Sequence, residues 1–322
     1  MIAIVLATLS AVGAFAQNKL AAAKPAPAAK PLYKLVELPL RPLSISESGW
    51  VAGTTPDQKA AVWSSRSALQ RIELPADFLN AEATSINRNG DAVGTAYTAD
   101  SSRRLAFLFR QGKVLLLSGE QSHAAAVNDA GTIVGQAKLS GAKSAEPVLW
   151  RNNTAEALHL CCAGVAKAIN RHGQIVGDTY DANGRYHAFL WSTGHARRLD
   201  LPGEQFSSAL ALNDLGQVVL RSDPAGLFLY QGDRRQKLDL PKSQPLAINN
   251  HGVIVGAFGP NPDQQYAFVW DKAHGRRDLN QLIPRDSGWT LEVASGINDR
   301  GEIVGWGDHG TTQNAGFLLI PQ

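Results

Sequence analysis

Two cysteines in 322 residues are too few to build a disulfide scaffold. They are neighbours, Cys161 and Cys162, and adjacent cysteines rarely bridge each other because the small ring strains the peptide. Stability therefore has to come from a buried core. Charge is also scarce: 18% of residues are charged and the net charge is +3. No Lys/Arg block occurs, so nothing points to nucleic acid. Beyond the first residues no run is long and apolar enough to span a membrane. The sequence lacks G-x-S-x-G, H-E-x-x-H, a P-loop and any Cys/His cluster with zinc spacing. "GWGDHG" (Gly305–Gly310) formally matches G-x-G-x-x-G, but no helix or βαβ unit follows it. "NDAG", "NDLG" and "NDRG" lack the alternating acids and distal Glu of a calcium loop. No cofactor, no metal and no catalytic residue is nominated.

What is present begins with "MIAIVLATLSAVGAFAQ". This apolar run ends in Ala14-Phe15-Ala16, a small–x–small pattern that reads as a signal-peptidase site, although its n-region has no Lys or Arg. Residues 1–16 are expected to be a signal peptide cleaved after Ala16, which makes the protein secreted or periplasmic with no membrane span in the mature chain. Residues 17–31, "QNKLAAAKPAPAAKP", form an Ala/Pro/Lys-rich linker.

From residue 32 to 322 one phrase recurs seven times. "AINRHGQIVG" from Ala168 and "AINNHGVIVG" from Ala247 are typical copies. The others are "SISESGWVAG", "SINRNGDAVG", "AVNDAGTIVG", "ALNDLGQVVL" and "GINDRGEIVG". Their first glycines are Gly49, Gly90, Gly131, Gly173, Gly216, Gly252 and Gly301, spaced 41, 41, 42, 43, 36 and 49 residues apart. After each phrase comes a variable polar stretch, then an apolar run such as "HAFLW" or "YAFVW", then a short segment such as "HARRLDLP".

Each piece favours β-structure. The apolar runs are short, β-branched or aromatic, and bounded by turn residues. N-x-x-G between two such runs reads as a tight hairpin, with Asn bonding its own backbone and Gly in the left-handed conformation. The recurring Asn is thus expected to be structural, with a ligand role in a central channel as the lesser alternative. Four strands per copy ("x-A-I-N", "x-I-V-G", "A-F-L-W" and "x-L-D-L-P") in about 40–45 residues is the size of a propeller blade. The third strand should be buried between blades. The last copy, ending "AGFLLIPQ", lacks a fourth strand, and an orphan strand "LYKLVELPL" (Leu32–Leu40) precedes the first copy. The reading is an all-β, seven-bladed propeller of four-stranded antiparallel blades, its ring closed by the N-terminal strand pairing in the last blade.

"AINRHGQIVGD…YHAFLW…LDLPG", with the triplet His187-Ala188-Phe189, resembles the HAF-repeat family, probable extracellular repeat proteins of bacteria. "DLNQLIP", "GWTLEVASGINDRGEIVG" and "FLLIP" are similar to the usual end of such proteins, and the resemblance covers residues 32–320. It implies export and a β-propeller-like repeat, and no reaction or cofactor. Ser46 stands where Asn is usual, Leu220 where Gly is usual, and most copies lack the His of the triplet.

In such a ring, the loops between the second and third strands share one channel face with the blade-to-blade connections. Those loops vary most. They carry Tyr97, Arg103 and Arg104 in blade two, and Asp178, Tyr180, Asp181, Arg185 and Tyr186 in blade four. Blade six adds Tyr266, and blade seven adds Trp306, Asp308 and His309. Aromatic and charged groups on a rigid rim suit a glycan, peptide or protein ligand. The expected function is that of an exported monomeric binding or interaction module. A propeller hydrolase or lyase, and a structural envelope component, are the alternatives.

Overall fold

The computed structural model describes residues 31–200, 203–261 and 264–322. The expected signal peptide and all of the linker but its last residue lie outside the described residues. From Tyr33 onward the chain forms seven four-stranded antiparallel sheets. Six of them are built from consecutive strands. The seventh joins the three C-terminal strands to the strand Tyr33–Leu38, which pairs with Thr312–Pro321 from Tyr33↔Pro321 to Leu38↔Gly316. This is the ring closure expected from the orphan strand.

Seven apolar clusters hold the ring together, one at each contact between neighbouring blades. Third strands supply much of each cluster: Ala106–Phe109 and Ala267–Trp270 are buried throughout. The fourth strands are peripheral, and all of His195–Arg198 is exposed. In blade four Leu199 and Asp200 follow that strand instead of joining it. The Leu199 amide still bonds the Ala188 carbonyl at 2.8 Å, and its side chain is buried, so Leu199 plugs inward. Cys161 and Cys162 lie in the connection between blades three and four as free thiols.

The repeated phrase has two glycines with different physical reasons. Those of N-x-x-G have φ between +71° and +85°, the left-handed region where a side chain is strained. The glycine of "IVG" has ordinary φ but no room. A Cβ on Gly177 would lie 2.1 Å from the Val165 carbonyl oxygen, and one on Gly94 1.9 Å from that of Glu82. Opposite this point every innermost strand carries a β-bulge, between Ala83 and Ser85 in blade two and between Ala166 and Ala168 in blade four. In blade five Leu220 takes this place and is absorbed into the cluster between blades four and five.

Candidate functional site at the channel mouth

The N-x-x-G turns of all seven blades surround one mouth of the central channel, a cavity of about 250 Å³. The repeated Asn does two jobs there. In blade four its Oδ1 accepts from the His172 and Gln174 amides at 3.1 and 3.0 Å, which fixes the turn. Its Nδ2 donates to the Asn213 carbonyl of blade five at 3.1 Å. The same bond runs from Asn87 to Asn128, Asn128 to Asn170, Asn213 to Asn249, Asn249 to Asn298, and Asn298 to Ser46, at 2.9–3.3 Å. Ser46 cannot reach onward, and Ser48 Oγ bonds the Arg88 carbonyl of blade two instead, at 2.7 Å. A second tier lies beside the first. The amides of Arg88, Arg171, Asn250 and Asp299 donate to Asp129, Asp214, Asp299 and Glu47 of the following blade. This mouth spends its polar groups on itself, so the expectation of a structural Asn holds, with the added role of a belt between blades.

Because neighbouring strands are antiparallel, the loops between second and third strands lie at the other mouth. The bulge and the close glycine define a cross-strand pair there in each blade. The pairs are Arg41↔Thr54, Glu82↔Thr95, His123↔Gln136, Val165↔Asp178, Ser208↔Arg221, Gln244↔Ala257 and Val293↔Trp306. No two are alike. One recurrent backbone device thus holds seven different side-chain pairs at this end of the blades, with Thr95, Asp178 and Ala257 buried.

The groups interact within and across blades. Tyr97 donates its hydroxyl to Glu82 Oε1 at 2.9 Å, and burial, then the carboxylate, push its pKa up to about 12. Thr95 Oγ1 contacts His123 Nδ1 at 2.7 Å. Burial lowers the pKa of His123; Glu82 opposes this and the Arg104 guanidinium adds to it, so the ring is neutral near pH 7. Gln136 lies between Arg104 and the Gly164 carbonyl; with its amide turned so that both atoms are satisfied, Oε1 accepts from Arg104 at 2.7 Å and the nitrogen donates to Gly164 at 3.3 Å. Asp178 is buried and joins blades four and five: it pairs with Lys167 and accepts from Ser208 Oγ at 2.7 Å and the Ala209 amide at 3.0 Å. Arg41 of blade one lies 4.0 Å over the Trp306 ring of blade seven. A groove of about 650 Å³ opens alongside, lined by Arg41, Glu82, Tyr97 and Leu43 together with Thr312–Gly316.

The structure places most of the sequence-nominated residues at strand ends instead of in loops. Tyr97, Arg104, Tyr180 and Trp306 reach this mouth. Asp178 belongs to it too, but as a buried stitch instead of a hairpin tip. Tyr186 stands edge-on between Tyr180 and Phe206, with centroids at 4.9 and 5.3 Å, and forms an exposed aromatic ladder on the rim. Tyr266 continues the rim beside Phe258 at 5.8 Å. His309 stacks on Trp289 at 4.7 Å and contacts Glu37 at 3.1 Å. Asp308 sits beside Glu292, whose pKa is raised by burial first and Asp308 second. Arg103 lies outward over Phe78 at 5.6 Å. Asp181 fixes its own turn through the Asn183 and Arg185 amides, leaving Arg185 exposed at the hairpin tip. Sequence reasoning missed Glu82, Thr95, His123, Gln136, Lys167 and Arg221. For all but Lys167, which sits in the bulge itself, the signal was the residue directly after the "IVG" glycine position and its partner on the inner strand.

The geometry defines a seven-bladed β-propeller with a self-bonded mouth and a chemically varied one. No family model matches the chain, and no curated protein does. Among solved structures it is similar to the β-propeller domain of the Trilobed protease from Pyrococcus furiosus, at 11% identity over 89% of this chain and 95% of that one, TM-score 0.59. It is also similar to YCF48 bound to D1 peptide, at 11% identity, 91% and 96% coverage and TM-score 0.57. Catalytically inactive virginiamycin B lyase from Staphylococcus aureus with quinupristin gives 11% identity, 90% and 100% coverage and TM-score 0.56. At this identity the likeness shows the fold alone.

Proposed function

We propose that the protein is an exported binding module whose ligand seats at the loop-side channel mouth. The observation that carries this reading is the ring of seven unlike cross-strand pairs set on one backbone device that recurs in every blade. The HAF-repeat resemblance supports export and a propeller-like repeat without a reaction. The rim of Tyr180, Tyr186 and Tyr266 supplies the rigid aromatic area that binding surfaces use.

A thermal-shift screen against glycans, peptides and anions tests this. A ligand at about a hundred times its Kd stabilises the folded chain by about 2.7 kcal/mol. The reading expects a dose-dependent shift that Trp306→Ala abolishes. A flat panel, or hits indifferent to substitutions at this mouth, would remove it.

One observation favours hydrolase or lyase chemistry as a second reading. Glu82–Tyr97 and Thr95–His123 bring a carboxylate, a phenol and a neutral imidazole to one mouth. Turnover of a thermal-shift hit that disappears in His123→Ala would establish it.

A further inference from the structure

Blade one is the shortest of the seven, and its shortfall lies at one end. Its inner strand Arg41–Ile45 has five residues and its second strand Val51–Thr54 has four. The same strands have nine and seven residues in blade two, and nine and seven in blade seven. All three inner strands end at the same repeat position, at Ile45, Ile86 and Ile297, so the missing residues come off the loop-side end. Blades two and seven therefore stand above blade one, and the groove of about 650 Å³ is the gap between them. Asn80, Glu82 and Tyr97 form one wall, Thr312–Asn314 the other, and Leu40, Leu43 and Pro56 the floor. Small-ligand sites span about 300–1,000 Å³, so the groove is of that size.

The groove gathers polar groups that the protein leaves unused. The side-chain amides of Gln58, Asn80, Gln313 and Asn314 make no hydrogen bond among the described residues. The Glu82 carboxylate accepts only the Tyr97 hydroxyl, on Oε1. The Arg41 guanidinium lies 4.0 Å over the Trp306 ring, which leaves its N–H edge to the groove. Charge nearly cancels: Arg41 stands against Glu37 and Glu82, and His309 contacts Glu37 at 3.1 Å. That balance favours neither a polyanion nor a polycation. A peptide adding itself as a strand finds no edge here. On blade two the Ala81 amide already donates to the Gln58 carbonyl at 3.0 Å. On blade seven Tyr33–Leu38 pairs the edge as far as Gly316, and beyond it Asn314, at φ +55°, breaks the extended run. What remains is side-chain amides, which both donate and accept, beside an apolar floor. Neighbouring hydroxyls on a sugar ring also donate and accept, and the ring's C–H faces are apolar.

We propose, on the reading of this mouth as a binding site, that the groove over blade one seats the ligand and that the ligand is a short neutral oligosaccharide. Asn80 and Asn314 bond its hydroxyls from opposite walls. Glu82 accepts from a neighbouring hydroxyl, and Arg41, held by Trp306, donates from the floor.

Isothermal titration tests this with short glucan, xylan, mannan and chitin fragments, and with oligogalacturonate and short uncharged peptides as the competing classes. The proposal expects at least one neutral oligosaccharide to bind and the competing classes not to. Asn80→Ala should weaken that binding about twofold to tenfold. Asn314→Gly, chosen because the position is left-handed, should do the same. Glu82→Gln should weaken it about tenfold or more, because a bond to a charged acceptor is lost. Circular dichroism confirms that each variant is folded. Neutral-sugar binding that ignores all of these groove variants overturns the groove; if Tyr186→Ala abolishes it, the binding module stands. Binding of oligogalacturonate or peptide alone overturns the neutral sugar and also leaves the binding module standing. Silence across every class removes both.

Discussion

The two mouths of the channel are built by the same seven strand pairs and obey opposite rules. At the turn-side mouth the chain repeats one residue, and each copy bonds the next: Asn87, Asn128, Asn170, Asn213, Asn249 and Asn298 pass one bond around the ring. At the loop-side mouth it repeats only the backbone, a bulge facing a crowded position, and changes the side chains in every blade. Repetition marks where the protein binds itself. Variation on a repeated frame marks where we propose that it binds something else.

Asp178 is the sharpest way to break that comparison, because it lies at the varied mouth but behaves like a belt residue. Asp178→Ala leaves Lys167 without its partner and opens the contact to Ser208 and Ala209. The expected loss is about 3–4 kcal/mol in urea unfolding. Asn170→Ala removes both the turn acceptor and the belt donor, and should cost about 2–3 kcal/mol by the same measurement. A loss under about 0.5 kcal/mol, the scale of a plain surface substitution, would mean the belt is geometry without energy. Ser46→Asn should complete the belt towards Asn87 and stabilise by up to about 1 kcal/mol.

The smallest effects belong to the varied mouth. Tyr97→Phe deletes one bond to Glu82 and should cost about 1 kcal/mol or less. His123 gives a pH signature there. Its folded pKa lies below the usual value near 6.5, so between the two values the unfolded chain binds more protons. Stability should therefore fall as pH drops through that window, and His123→Gln should flatten the slope in urea midpoints measured across it.

The ring was legible in the sequence because its causes are local and periodic. N-x-x-G announced the turn, the apolar third strand announced the buried layer, and "LYKLVELPL" announced the closing partner of "AGFLLIPQ". The belt was not legible, because within one copy Asn170 already has a sufficient reason in its own turn. Its second partner, Asn213, is a whole blade away. The varied mouth was half legible. Variable loops pointed to the end where the paired side chains differ from blade to blade, and Tyr97, Arg104, Tyr180 and Trp306 lie near it. Glu82, His123 and Lys167 sit on inner strands beside a bulge, and a bulge leaves no residue type of its own in the sequence.

The closing sheet sets the order in which the ring can be made. Its outermost strand comes from Tyr33–Leu38, and its other three come from Trp289 onward. These are the longest-range contacts in the chain, and contacts of that range are slow to form. Six blades can assemble in passing, but the molecule stays an open arc, with the pairing edge of Thr312–Pro321 bare, until its beginning finds its end. Trimming one strand from either terminus should therefore open the same seam, and the two truncations should share one phenotype: protease sensitivity that starts at blade seven.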